Sequence, residues 1–128
     1  MAIEIPGFKV GTLATNTTTF SGKQYHAITQ SSSASIIATP SDGAAMVGIM
    51  QNAPTVSGES AEIVSEGISK AIFNTALAVG ANYIVGTSGR LHSTGGAAAG
   101  AVIYGPVIVA AASSGTGSVL LKSVGITT

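Results

Sequence analysis

Residues 44–73 read AAMVGIMQNAPTVSGESAEIVSEGISKAIF, and the punctuation of this stretch decides the fold class. The apolar run 44–50 is short enough for a strand buried on both faces. Asn52, Pro54, Ser57 and Gly58 then break it, because each favours a turn over continued pairing. A second run follows, with Glu62, Val64 and Glu66 alternating against Ile63 and Ser65. Gly67 interrupts it, where a bulge or a close backbone approach is expected. Ile68, Lys70 and Ile72 resume the period of two, so the stretch reads as strand, turn, strand, strand.

Upstream, Tyr25, Ala27 and Thr29 alternate with His26, Ile28 and Gln30 as a strand would. Residues 31–33 are a serine loop, and 34–39 form a second strand closed by Pro40 and the turn Ser41-Asp42-Gly43. Residues 1–19 differ in character. Ile3 and Ile5 alternate, Phe8 and Val10 follow, and the run then turns polar through Thr15, Asn16, Thr17, Thr18 and Thr19. Such a segment cannot build a core of its own. It reads as an extended N-terminal arm that needs a partner surface, or as a frayed terminus. The expected organisation is therefore an arm over 1–19 and a single β-rich domain over 20–128.

Downstream, residues 71–79 carry both a helical stripe (Ile72, Ala76, Val79, with Gly80 as a cap) and a β reading. The β-like flanks favour the second, with a turn at Asn74-Thr75 and a short strand over 77–79. Residues 83–86 are a strand, Thr87-Ser88-Gly89-Arg90 a tight turn, and Leu91 and His92 a short continuation. The uncharged run 97–112 is too short for a membrane-spanning helix and is broken by Gly100, Gly105 and Pro106. It reads as two buried strands joined at Gly105-Pro106. A loop over 113–117, a last strand over 118–124 and a polar tail complete the chain. Many short runs between turn residues are the signature of an all-β fold, a small antiparallel β-barrel or sandwich.

Composition narrows the function classes. In 128 residues there are five Lys and Arg against five Asp and Glu, and charged residues make up only 8%. Such a balance offers no basic footprint for nucleic acid. It suits close packing beside other protein surfaces, since weak charge repels neighbours weakly. There is no cysteine, so disulfides and thiolate metal sites are excluded. The start lacks the basic and long apolar regions of a secretory signal.

The chemical motifs fail. Gly115-Thr116-Gly117-Ser118 resembles the opening of a dinucleotide fingerprint but lacks its third glycine and its helix. Metal sites need more ligands than the chain's two histidines, His26 and His92, supply at close spacing. These read as a strand-face and a loop histidine. Glu62 and Glu66 read as a solvated strand face. No catalytic, cofactor-binding or metal residues are assigned, and no cofactor is expected. An enzyme would need a histidine beside an acid in a cleft, and His26 or His92 beside Asp42 is the pair to check.

One resemblance goes further. Gly48-Ile49-Met50-Gln51-Asn52-Ala53-Pro54, then Gly58, Ala61-Glu62-Ile63-Val64 and Gly67-Ile68-Ser69-Lys70, resemble the ordered motifs of tailed-bacteriophage head decoration (capsid cement) proteins. Tyr25 to Thr29 resembles a strand near the family's start. Ala76-Leu77-Ala78-Val79-Gly80 and the later hairpin are also similar, and Thr87-Ser88-Gly89-Arg90 matches a turn that carries an acid in the family. The resemblance spans about residues 20–124. It implies a non-enzymatic virion protein on the outer capsid surface, present in the host cytoplasm during assembly. Its partners would be the major capsid protein and copies of itself, as a trimer or a dimer, with no nucleic acid and no membrane. Ile3, Ile5, Phe8 and Val10 would anchor the arm to a neighbouring subunit by adding a strand to a sheet edge. The alternative is a tail, fibre or cell-surface adhesion module binding a receptor or carbohydrate, against which the absence of Trp argues.

Overall fold

Asn52 and Pro54 end one strand and Gly67 turns the chain into another, as their residue types require. The computed structural model describes residues 9–14, 20–30, 37–38, 40–55 and 59–127. Along these residues the chain is all-β. Its strands are β1 (Lys9–Ala14), β2 (Ala27–Gln30), β3 (Ile37–Ala38), β4 (Gly48–Met50), β5 (Ser60–Val64), β6 (Ile68–Ile72), β7 (Tyr83–Val85), β8 (Leu91–Ser93), β9 (Val102–Tyr104), β10 (Val107–Val109), β11 (Thr116–Leu120) and β12 (Ser123–Ile126).

The strands form three antiparallel sheets. A five-stranded sheet runs β1-β5-β4-β2-β3, a three-stranded sheet β10-β11-β6, and a four-stranded sheet β12-β9-β7-β8. None closes on itself, so the sandwich of the two expected topologies describes the fold and the closed barrel does not. The sheets share one core. Ala27, Ile49 and Val64 of the first meet Ala71, Val107 and Val119 of the second and Tyr83, Val85, Leu91 and Tyr104 of the third. The fully buried rings of Phe73 and Tyr83 lie in this core, and each buried large apolar side chain contributes roughly 1.5–3 kcal/mol. The other face of the five-stranded sheet carries a smaller cluster of Phe20, Ile28, Met50, Ala61 and Ile63. Alternate residues of β4 thus feed two clusters, which is why its run is apolar throughout.

The turn at Ser41-Asp42-Gly43 forms as expected, with Gly43 at φ 76°. It joins sheets instead of closing a hairpin: Gly43 N–H donates to the Val85 carbonyl at 2.7 Å, and Val102 N–H donates to the Gly43 carbonyl at 3.0 Å. The Asn74-Thr75 turn also forms, and the β reading of 71–79 holds. Its short strand, however, reduces to a single bridge between Leu77 and Ala111.

Several boundaries differ from the sequence reading. Residues 44–47 are not strand: the Met46 N–H donates to the Tyr104 hydroxyl at 2.9 Å and so leaves the ladder. Tyr25 stands outside β2 at φ 64°. Gly67, read as a bulge or a close backbone approach, lies in a bend between β5 and β6 at φ 93°, and its carbonyl accepts from Leu121 N–H at 2.9 Å. The strands flanking Gly105-Pro106 are half-buried instead of buried, because each lies in a different sheet with one face outward. The largest difference is at the C-terminal end. The single strand expected over 118–124 is two, β11 and β12, in different sheets. Leu121 and Lys122 make the crossing, and Gly125 and Ile126, read as tail, belong to β12.

Candidate contact surfaces

The β4–β5 connection is built by side chains that imitate backbone. Asn52 Nδ2 donates to the Ser60 carbonyl at 3.0 Å, and its Oδ1 accepts from Glu62 N–H at 2.9 Å. One amide thus adds a rung to the antiparallel ladder beyond the end of β4. Gln51 Nε2 donates to the Ile49 carbonyl at 2.9 Å and to the buried Ser69 hydroxyl at 3.0 Å, tying β4 to β6. Thr55 N–H donates to Glu59 Oε2 at 2.7 Å and closes the loop. The motif residues that carry the family resemblance therefore shape a hairpin.

The histidines exchange the places expected of them. His26 precedes β2 and is buried, with Nδ1 3.1 Å from the Gln24 carbonyl. Burial holds its pKa below the usual histidine value, the Gln24 carbonyl partly opposes this, and the charges of Lys23 and Arg90 push it lower. His92 lies on β8 and not in a loop. Its Nε2 is 2.7 Å from Asp42 Oδ1. A carboxylate only accepts, so Nε2 carries the proton. The pair flagged in the sequence does meet, but on an open surface, with side chains 20% and 54% exposed. Among the described residues no cavity encloses it and no group of three or more His, Asp or Glu could hold a metal ion. Glu62 and Glu66 are exposed, as the sequence implied, although the strand ends at Val64 and Glu66 lies in the following turn.

Of the four residues assigned to partner contact, Ile3, Ile5 and Phe8 lie outside the described residues. Val10 belongs to β1, whose backbone pairs antiparallel with β5 of the same chain from Lys9↔Val64 to Ala14↔Ser60. Sequence reasoning missed another surface. All four residues of β12 are exposed, and Val124 (48%) and Ile126 (63%) are large apolar side chains in water. β12 is also an edge strand, with one side on β9 and the other unpaired within the described chain. Its end is held: Thr127 N–H donates to the Ala101 carbonyl and its hydroxyl to the Ala98 carbonyl, while Gly100 N–H donates to its carbonyl. A fixed, apolar, exposed edge is a ready template for pairing with another chain. The alternation Val124, Ile126 was its signal, hidden by merging β12 with β11.

A similar fold occurs in a solved structure. The crystal structure of the head fiber gp8.5 N base in bacteriophage phi29 superposes on 90% of this chain and 95% of its own, with a TM-score of 0.69 and 12% sequence identity. The fold resembles that of a phage head fiber base. At that identity the likeness is one of fold. No family model matches the chain, and no curated protein matches it.

Proposed function

We propose that the chain is a structural, non-enzymatic protein of a bacteriophage head, seated on the outer surface of the shell and bracing it through contacts with major capsid subunits. The observation that carries this reading is the likeness of nearly the whole fold to a phage head fiber base. The resemblance of residues 48–70 to the ordered motifs of decoration proteins supports it independently, since it rests on sequence and not on fold. Low charge and the exposed apolar edge of β12 suit subunit contact over solvation. Many weak contacts repeated over a symmetric shell sum to firm attachment. Ile3, Ile5 and Phe8 are the proposed shell anchors, with trimers or dimers as the bound species.

A second reading follows from the kind of neighbour found: the chain is the base of a projection rising from the head, present in fewer copies than a cement protein. Quantitative protein analysis of density-purified particles separates the two. A copy number comparable to the major capsid protein supports bracing, and a much lower number supports a fibre base. Absence from the particle overturns both. Because β1 pairs with β5, the informative deletion is 1–8, which keeps β1. It should abolish shell binding and leave the domain folded.

A further inference from the structure

Two residues other than glycine take positive φ among the described residues: Tyr25 and Ser114, each at 64°. Both are anchored on the same end of β6. Ile72 N–H donates to the Tyr25 carbonyl at 3.2 Å, and Ser114 N–H donates to the Phe73 carbonyl at 2.7 Å. Neither residue type is at ease in this conformation, and a bulky one least of all. Strain kept at two points around one strand end points to a surface shaped for use.

The charges gather there too. Lys70, on the outward face of β6, places Nζ 5.6 Å from the Tyr25 ring centroid. Arg90 extends Nη1 to 3.4 Å from the Ser114 hydroxyl. Lys23 and Arg90 are both near enough to His26 to disfavour its protonation. Of the chain's five Lys and Arg, Lys70 thus borders Tyr25, Arg90 borders Ser114, and Lys23 lies two positions before Tyr25 in the chain. None of the three is ion-paired among the described residues, and Asp42 is engaged by His92. Like charges held together without carboxylates are repulsive, and an anionic partner relieves that repulsion.

We propose that the surface formed by Lys23, Tyr25, Lys70, Arg90 and Ser114 docks a carboxylate-rich segment of a partner protein. The guanidinium fork of Arg90 suits bidentate capture of one carboxylate, and Lys23 and Lys70 act as point charges beside it. The Tyr25 ring supplies an apolar floor for the acidic side chain's stem. A protein partner fits better than a nucleic acid. Three cations on a chain of zero net charge give little long-range attraction and few phosphate contacts. This deepens the head-surface reading and rests on it for the partner's identity, as an acidic patch of a shell subunit.

The test titrates the isotopically labelled full chain with end-blocked hexaglutamate, read by NMR. Shifts confined to Lys23, Tyr25, Lys70, Arg90 and Ser114, reversed by high salt, are the expected result. Binding should weaken about tenfold or more in Lys70→Gln/Arg90→Gln and stay unchanged in Lys122→Gln. If the double variant does not fold, Lys23→Gln serves, with a smaller expected loss. Equal response at Lys122, or no response at the five residues, overturns the proposal. Tighter binding of hexathymidylate than hexaglutamate at the same residues overturns the choice of carboxylate. No phage particle enters this titration, so its failure leaves the head-surface reading standing, and absence from particles leaves the peptide result standing.

Discussion

His92 Nε2 lies 2.7 Å from Asp42 Oδ1, across 50 positions of chain. The contact fixes the turn after β3 against β8, beside the point where Gly43 exchanges hydrogen bonds with Val85 and Val102. It therefore helps hold the five-stranded sheet's outgoing chain on the four-stranded sheet.

The pair is solvent-accessible, so water competes for both partners and its contribution is small. A double-mutant cycle with His92→Ala and Asp42→Ala should give a coupling of about 0.5–1 kcal/mol in urea unfolding, decreasing with salt. A coupling of several kcal/mol would mean that the pair is far better shielded than its exposure indicates.

His26 gives stability a pH dependence of definite sign. Its folded pKa is lowered, chiefly by burial, so the unfolded chain takes up a proton first as pH falls. The contribution is complete above the ordinary value of about 6.5 and is lost as pH drops from there toward the folded value. Unfolding free energies at stepped pH should fall more steeply through this window for the wild type than for His26→Gln. The slope must differ by less than one proton. Equal slopes would place the imidazole in a water-like environment.

The turn chemistry of this fold was legible in the sequence, and the traffic between sheets was not. Asn74-Thr75 and Gly105-Pro106 mark real strand ends, and Asp42-Gly43 a real turn, because their residue types limit backbone conformation locally. The crossing at Leu121-Lys122 has no such marker. SVLLKSV contains no Gly, Pro, Asn or Asp to mark a break, while the decision to leave one sheet for another is made by distant partners, the Gly67 carbonyl and Gly105 N–H. The docking surface around Tyr25 was hidden for a related reason. Tyrosine has no preference for positive φ, so residues 25–30 read as uninterrupted strand. The His92–Asp42 pair could be named from composition, but not its position on an open surface.

Tyr83 and Tyr104 stack with ring centroids 5.9 Å apart, and each hydroxyl has a separate task. Tyr83 donates to the Leu120 carbonyl at 2.8 Å, and Tyr104 accepts from Met46 N–H at 2.9 Å. The Leu120 carbonyl also accepts from Lys122 N–H, so Tyr83→Phe leaves it paired and should cost about 1 kcal/mol. Tyr104→Phe removes the acceptor from Met46 N–H and should cost about 1–2 kcal/mol. Burial, reinforced by the neighbouring Tyr104, keeps the Tyr83 phenol protonated far above the ordinary tyrosine value. Alkaline titration followed by phenolate absorbance should leave Tyr83 silent until the protein unfolds. A phenolate at Tyr83 in the folded protein would contradict its burial.

Gly48 opens the motif that suggested a virion role, and its reason for being glycine is packing. A Cβ there would fall on the Val64 carbonyl oxygen and 2.7 Å from Ile63 Cγ2. The oxygen is backbone at the end of β5, where Val64 is paired on both sides, with Lys9 and with Ile49, and it cannot swing aside. Gly48→Ala should cost about 3 kcal/mol or more, through separation of β4 from β5. Gly125 on β12 is the control: a Cβ there meets nothing within 4 Å. Gly125→Ala should be neutral or stabilising by about 0.5 kcal/mol, since it restricts only the unfolded chain. Urea unfolding of the two variants decides the matter. A mild Gly48→Ala would mean that the close approach of β4 and β5 can relax, and that the glycine answers to something other than packing. A costly Gly125→Ala would show that the unpaired side of β12 is already covered by another copy in solution.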